Sequence, residues 1–237
     1  MVCSSSTSST STRSLSTCTA RRPTSPPTAS AARGEPHRGL GGAGDLPIAD
    51  GLRLLTDRPQ GAGLTGATTY RVGVVGHCRF DSPAVADFVA GACRAVLGGA
   101  ARRHGAVAAV SALAEGADTL FAEAALELGL ALDAVTPFAG YDADFVTSYA
   151  RTRYRRLVRA ARSELSMPHR DRSDEAYANA MRAIVDGSDL LVLVWNAAPS
   201  PSLAGTAAAV AYAVGLGRPW VHVDVRTRRI RGEVWRG

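Results

Sequence analysis

The run from Asp189 to Trp195 reads Asp-Leu-Leu-Val-Leu-Val-Trp, apolar at every position between its ends. A strand of that kind has no face to show to water. It must lie inside a sheet covered on both sides, which means a largely parallel sheet with helices on each face. The chain after Tyr70 supplies such a sheet, because short valine-rich runs alternate there with longer segments of helical spacing, the pattern of repeated β-α-β units.

The first run is Arg71 to Val75. Gly76, His77, Cys78 and Arg79 follow it, then Asp81 or Ser82 as a helix N-cap with Pro83 at the first helical position. The spacing predicts a helix to about Leu97, ended by Gly98 and Gly99. A second run, Ala106 to Val110, leads through Ser111 and Ala112 to Glu115, Gly116, Ala117, Asp118 and a helix ending at Gly129. The third, Ala131 to Val135, stops at Pro137. A long arginine-rich helix over about Ala143 to Leu165 and another over Glu175 to Val185 come next. After the fourth strand, Asp189 to Trp195, a loop with Pro199 and Pro201 leads to Gly205, Thr206 and a helix to Gly215, and Pro219 to Val223 is the fifth strand. Five strands in the order 3-2-1-4-5 make a doubly wound, Rossmann-like α/β domain from residue 69 to residue 237.

Residues 1–68 differ. Ser, Thr, Pro, Gly and Arg dominate, with too few large apolar side chains to offset the entropy of ordering, so the expectation is a disordered tail. Arg13, Arg21, Arg22 and Arg33 without any acid before Glu35 also fit an organelle transit peptide, and an overextended start is a third reading. No apolar run looks long enough to span a bilayer and no signal-peptide core is present, so a cytoplasmic protein without a membrane partner is expected.

The net charge of +6 and pI of about 9.6 raise the question of a polyanion partner. All 27 basic residues are arginines, scattered through the tail, the helix Arg151 to Arg162 and the terminal run Arg226, Arg228, Arg229, Arg231 and Arg236. That scatter fits a base-composition habit as well as a binding design. Cys3, Cys18, Cys78 and Cys93 have no paired metal-ligand spacing, so neither disulfides nor a metal is expected, and no cofactor is implied.

In open parallel sheets the ligand lies beyond the carboxyl ends of the strands, where strand order reverses. The loops to watch are therefore Gly76 to Arg79, Ser111 to Asp118 and Asn196 to Thr206. Gly76 allows close backbone approach, while His77 and Arg79 place donors where a helix begins and free amides favour an anion. An ordinary strand-to-helix turn would use the same residues. Gly205 and Thr206 open a second helix at that edge, and a phosphate-bearing ligand uses both starts; capping alone also explains Thr206. Neither loop carries a Walker A or GxGxxG pattern, which removes ATPases and dehydrogenases.

Taken together, Gly76, His77 and Arg79, then Ser111 with Ala114 to Asp118, then Pro137 and Phe138, then Asp189 before Trp195, and Gly205, Thr206, Tyr212 and Ala213 resemble the SLOG superfamily. That group joins the DNA-processing DprA/Smf proteins to the LOG cytokinin-riboside phosphoribohydrolases. The resemblance implies a nucleotide or nucleoside-phosphate ligand held by Gly76, His77, Arg79, Ser111, Gly116, Asp118, Gly205 and Thr206, and members that often form homo-oligomers. It also implies a catalytic glutamate in the LOG enzymes, at the end of a Pro-Gly-Gly-x-Gly-Thr-x-x-Glu signature. Here that position is Ala209, and Ala204 replaces a signature glycine. A sensor-like domain is the leading expectation. An enzyme acting on an N-glycosidic bond, a divergent phosphoribohydrolase or a nucleoside deoxyribosyltransferase-like protein, is the alternative, with Glu115 as its candidate carboxylate. Helix-dipole pairing is the plainer role for Glu115 and Asp118. A DprA-like binder of single-stranded nucleic acid is the third, carried by Tyr149, Arg151, Arg153, Tyr154, Arg155 and Arg156.

Overall fold

The computed structural model describes residues 69–198 and 205–233. The readings of residues 1–68, of residues 199–204 with Ala204 among them, and of Arg236 lie outside these. The strands are β1 (Tyr70–Gly76), β2 (Val107–Ser111), β3 (Ala131–Thr136), β4 (Ser163–Ser166), β5 (Leu190–Trp195), β6 (Trp220–Asp224) and β7 (Arg229–Glu233). The helices are α1 (Pro83–His104), α2 (Ala117–Glu127), α3 (Ser148–Ala160), α4 (Asp174–Asp186) and α5 (Thr206–Gly215), with one 3-10 turn at Tyr141–Asp144.

The seven strands run in the order β4-β3-β2-β1-β5-β6-β7. Every neighbouring pair is parallel except β6 with β7. Alternate side chains sort onto the two faces as the strand period dictates. Val72, Val74, Ala109, Leu132, Leu190 and Val192 pack with buried residues of α1, α2 and α3. Val75, Val110, Val135, Leu191 and Leu193 pack with Ala180, Met181, Ile184 and Val185 of α4 and Ala209 and Ala213 of α5. Each fully buried Val or Leu contributes about 1.5–3 kcal/mol relative to exposure. The chain steps from β1 to β4 in one direction and then returns beside β1 as β5, so strand order reverses between β1 and β5.

The doubly wound fold and the order of the five expected strands stand, but three elements differ from the reading of the residues. Helix α1 does not stop at Gly98 and Gly99. It continues to His104, because Ala100 to Arg103 are good helix formers and Leu97 and Ala100 sit on its buried face; Gly105 at φ 75° ends it. The helix expected over Ala143 to Leu165 is a 3-10 turn, α3 and an edge strand. Thr147 starts α3 by accepting a hydrogen bond from the Ala150 amide at 3.1 Å. Beyond Ala160, Arg162 donates its backbone amide to Leu132 at 2.7 Å and its guanidinium to Asp133, which draws Ser163–Ser166 alongside β3. The part of the terminal basic run from Arg229 is β7, turned back by Asp224, whose carboxylate accepts from the Arg226 and Thr227 amides.

Helix α1 is also long and apolar enough, by length and composition alone, to cross a membrane, contrary to the expectation that no run would be. In this fold its apolar face, with Val89, Cys93, Val96 and Leu97, packs on the sheet.

Gly76 marks the tightest point of the carboxyl edge. A Cβ there would lie 2.5 Å from Val194 Cβ and 2.6 Å from Ala117 Cβ, so the missing side chain is what lets β1, β5 and the start of α2 meet. Gly76→Ala is therefore expected to destabilise the domain by about 1–3 kcal/mol, the usual cost of overpacking a tight core, read as a lower urea midpoint at unchanged slope. An unaltered midpoint would mean that α2 shifts freely away from β1.

Candidate functional site

The loop after β1 is fastened on both sides. His77 donates its amide to the Val194 carbonyl at 3.0 Å and accepts at its own carbonyl from the Ala117 amide at 2.9 Å. Its Nε2 accepts from the Asn196 amide at 3.2 Å. Burial holds the His77 pKa below its ordinary value against the opposing pulls of Asn196 and Asp81. The imidazole is thus neutral near pH 7, and Nε2 as acceptor puts the proton on Nδ1. His77 braces β5 against α2.

The loop after β2 is fastened from within. Ser111 is fully buried; its hydroxyl accepts from the Leu113 amide at 3.0 Å and donates to the Asp118 carbonyl at 3.3 Å. Thr119 donates its hydroxyl and its amide to the Ala114 carbonyl. Leu113, buried, sits at φ 57°, a left-handed conformation costing on the order of 1–3 kcal/mol in a bulky residue. Gly116, at φ 85°, presses against the first loop: a Cβ would lie 2.3 Å from the His77 carbonyl oxygen and 2.6 Å from that of Cys78. The two loops form one rigid unit.

Asp118, in the first turn of α2, is 1% exposed, and its Oδ1 finds no hydrogen-bond partner among the described residues. Burial pushes its pKa up to about 7, with the Ala112 and Ala114 amides pulling the other way. Cys93 of α1 is in turn pushed up to about 12 by burial, and the nearby Asp118 charge adds to that rise.

Above this unit opens a cleft of about 630 Å³. Its walls are Cys78 to Pro83 and Ala86, then Glu115, Gly116 and Thr119, then Phe145 to Thr147 with Tyr149, Ala150 and Arg153. Three helices begin at it. Ser82 caps α1, Gly116 stands at the N-cap of α2 and Thr147 caps α3. Each helix start carries roughly half a positive charge from its aligned peptide dipoles. Arg79 is exposed on the wall and makes no ion pair among the described residues. Glu115 is half-buried there.

Of the residues read from the sequence, Arg79, Glu115 and Gly116 therefore share one cleft. Gly76, His77, Ser111 and Asp118 do not line it; they build its floor, with their polar groups turned to the backbone or buried. Gly205 and Thr206 open α5 at the same sheet edge, but α5 packs on the other face, and neither residue lines this cleft. Thr119, Val146 and Thr147 were not singled out by the sequence. They carry no motif and come to the cleft only because α3 starts beside α2.

Four arginines of α3 are held by neighbouring groups. Arg151 donates to the carbonyls of Asp142 and Phe145, each at 3.1 Å. Arg155 pairs with Asp142, and Arg153 and Arg156 share Glu123. Burial alone would raise the Glu123 pKa, but the two guanidiniums outweigh it and hold it below the ordinary range. Tyr154 is buried, stacked on Phe145 at 4.6 Å. Among the described residues no three His, Cys, Asp or Glu side chains are placed to hold a metal ion.

No protein-family model and no curated protein matches this chain. Among solved structures it is similar to DNA processing protein A (DprA) from Streptococcus pneumoniae, with 19% identity and a TM-score of 0.47 over 65% of this chain and 50% of that one. It is similar to DNA processing protein A from Helicobacter pylori, whose structure is described for its single-stranded DNA binding mode, with 18% identity and a TM-score of 0.47 over 65% of each chain. The molybdenum cofactor binding protein from Rippkaea orientalis is similar at 12% identity and a TM-score of 0.42, over 66% of this chain and 77% of that one. The chain thus spans half of the first protein and 65% of the second.

The state of Asp118 gives a pH signature. Its folded pKa of about 7 lies above the roughly 3.9 of an unfolded aspartate, so between those values the native state keeps a proton that the unfolded state releases. Stability contributed by this group is full below the lower value and is lost as pH rises through the upper one. Asp118→Asn is expected to remove that slope, so that the difference in urea unfolding free energy between variant and wild type changes steadily from pH 5 to pH 7 and levels off above it. A constant difference across the range would mean that Asp118 is ionised in the fold.

Proposed function

We propose that this domain binds a nucleotide or nucleotide-derived phosphate ester in the cleft above the β1 and β2 loops, holding or sensing it without chemistry. The carrying observation is the meeting of three helix starts on one ligand-sized cleft whose wall holds Arg79, an arginine with no ion pair among the described residues. Aligned helix dipoles favour an anion, a guanidinium can grip a phosphate through two oxygens, and the volume falls within the range of small-molecule sites.

One observation favours a second reading. Glu115 stands half-buried in the same wall, where a carboxylate could assist cleavage of an N-glycosidic bond. The route used by the LOG enzymes has no counterpart, because Ala209 is an alanine fully buried between α5 and the sheet. Single-stranded nucleic acid would need the α3 arginines for its phosphates, and Arg151, Arg153, Arg155 and Arg156 already hold carboxylates or carbonyls.

Thermal unfolding of the full chain against nucleoside monophosphates and diphosphates, ADP-ribose and cyclic nucleotides tests this, with each mixture assayed for released base. A ligand at one hundred times its Kd adds about 2.7 kcal/mol and raises Tm by a few degrees. Arg79→Ala should weaken that ligand about tenfold or more, the usual loss for a charged hydrogen bond, while Glu115→Gln leaves binding nearly intact. Base released by the wild type and not by Glu115→Gln would move the protein to the enzyme reading. No shift with any probe would overturn the proposal.

A further inference from the structure

We infer that the α3 wall of the cleft is a stacking platform, with Tyr149 as the residue that receives the planar heteroaromatic ring of the ligand; this rests on the nucleotide reading above. Among the described residues the two most exposed large apolar side chains are Val146 at 76% and Tyr149 at 74%, against 52% for the next, Leu165. Single exposed apolar residues are ordinary on a protein surface. Here the two extremes stand three residues apart on the wall of one cleft, facing ground that the helix starts make attractive to an anion.

The platform is held in place without burying its ring. The Thr147 hydroxyl fixes the first turn of α3 through the Ala150 amide at 3.1 Å, and the Arg151 guanidinium ties down the Asp142 and Phe145 carbonyls just ahead of it. One turn on, Arg153 is locked to Glu123. The same helix commits Tyr154 to the core, 7% exposed among Tyr141 and Phe145. The backbone that carries Tyr149 is thus fixed while its ring is not needed for packing, an arrangement that leaves the ring face open to a stacking contact.

The neighbours choose the class of ring. Glu115 shares the wall with Tyr149, and a hydrocarbon chain laid there would strip water from its carboxylate without offering it a donor. A nitrogen heterocycle stacks on the phenol face while its edge donors meet the Glu115 side-chain oxygen, a contact that a glutamine oxygen also makes. The ligand then runs from a phosphate at Arg79 and the α1 start to a ring at Tyr149.

The test is titration calorimetry of the full chain with AMP and GMP as ring-bearing probes and ribose 5-phosphate as the ring-free one. Tyr149→Ala is expected to weaken the nucleotides about tenfold, in keeping with alanine replacement of a stacked aromatic. Tyr149→Phe should keep wild-type affinity, since stacking needs only the ring, and ribose 5-phosphate should bind Tyr149→Ala as it binds the wild type. Thermal unfolding of Tyr149→Ala without ligand should match the wild type, because the side chain is mostly exposed. Nucleotide affinity lost in Arg79→Ala but unchanged in Tyr149→Ala would overturn the platform and leave the nucleotide reading standing. An equal loss of AMP and ribose 5-phosphate in Tyr149→Ala would overturn it too. No binding of any nucleotide by the wild type would remove the parent reading and the platform with it.

Discussion

Close backbone contact at the carboxyl ends of β1 and β5 governs everything built above them. Gly76 leaves room for Val194 and Ala117, and that room brings the first residue of α2 within hydrogen-bonding reach of His77. Gly116 then settles against the Cys78 carbonyl, and the β2 loop takes its strained form around Leu113. Backbone strain of this kind persists only where surroundings over-determine it. Here they do: Ser111, Thr119 and Asp118 all spend polar groups inside the loop or bury them beneath it. The wall of the cleft, Glu115 and Gly116 included, inherits its position from that frame.

Charge is handled differently on the two sides of the molecule. Toward the β4 edge, Asp133 and Glu123 are each met by two arginines. Asp133, buried in β3, faces Arg71 from β1 and Arg162 ahead of β4, and these hold its pKa below the ordinary range although burial pulls upward. Around the cleft, Arg79 and Glu115 make no ion pair among the described residues. Pairing engages several arginines of α3 with carboxylates even where, as in Arg155 and Arg156, they remain exposed.

The sheet was legible because its inner strands announce themselves. Leu190 to Val194 could not be anything but a central strand, and the valine runs before it fixed β1, β2 and β3 within a residue. The edges were not. Ser163–Ser166 is polar and fully exposed, and it becomes a strand only through Arg162 and its hold on β3. Arg229–Glu233 reads as a basic tail, and its strand character comes from the turn that Asp224 closes. At the site, the local sequence points to loops of which only some residues line the cleft. Ser111 and Asp118 have the right types for ligand contact, yet an internal amide competes for a hydroxyl or carboxylate as well as any ligand does. Tyr149 and Arg153 were visible as an aromatic-basic pair one helical turn apart, but which face of α3 met the cleft depended on packing that no local pattern carries.

The reversal of strand order also sets a schedule for the chain as it leaves the ribosome. Arg71 and Asp189, which bond directly across the β1–β5 boundary, stand 118 residues apart. Strands β1 to β4 can assemble in sequence as they emerge, but β1 then carries an edge of unpaired backbone N–H and C=O groups on a mostly apolar strand until the last third of the domain has been made. Contacts of such long sequence separation form slowly, and an open valine edge is a template for pairing with other chains. This fold therefore places its greatest aggregation hazard at the strand that ends in its own binding loop, and puts the remedy, β5, in the part synthesised last.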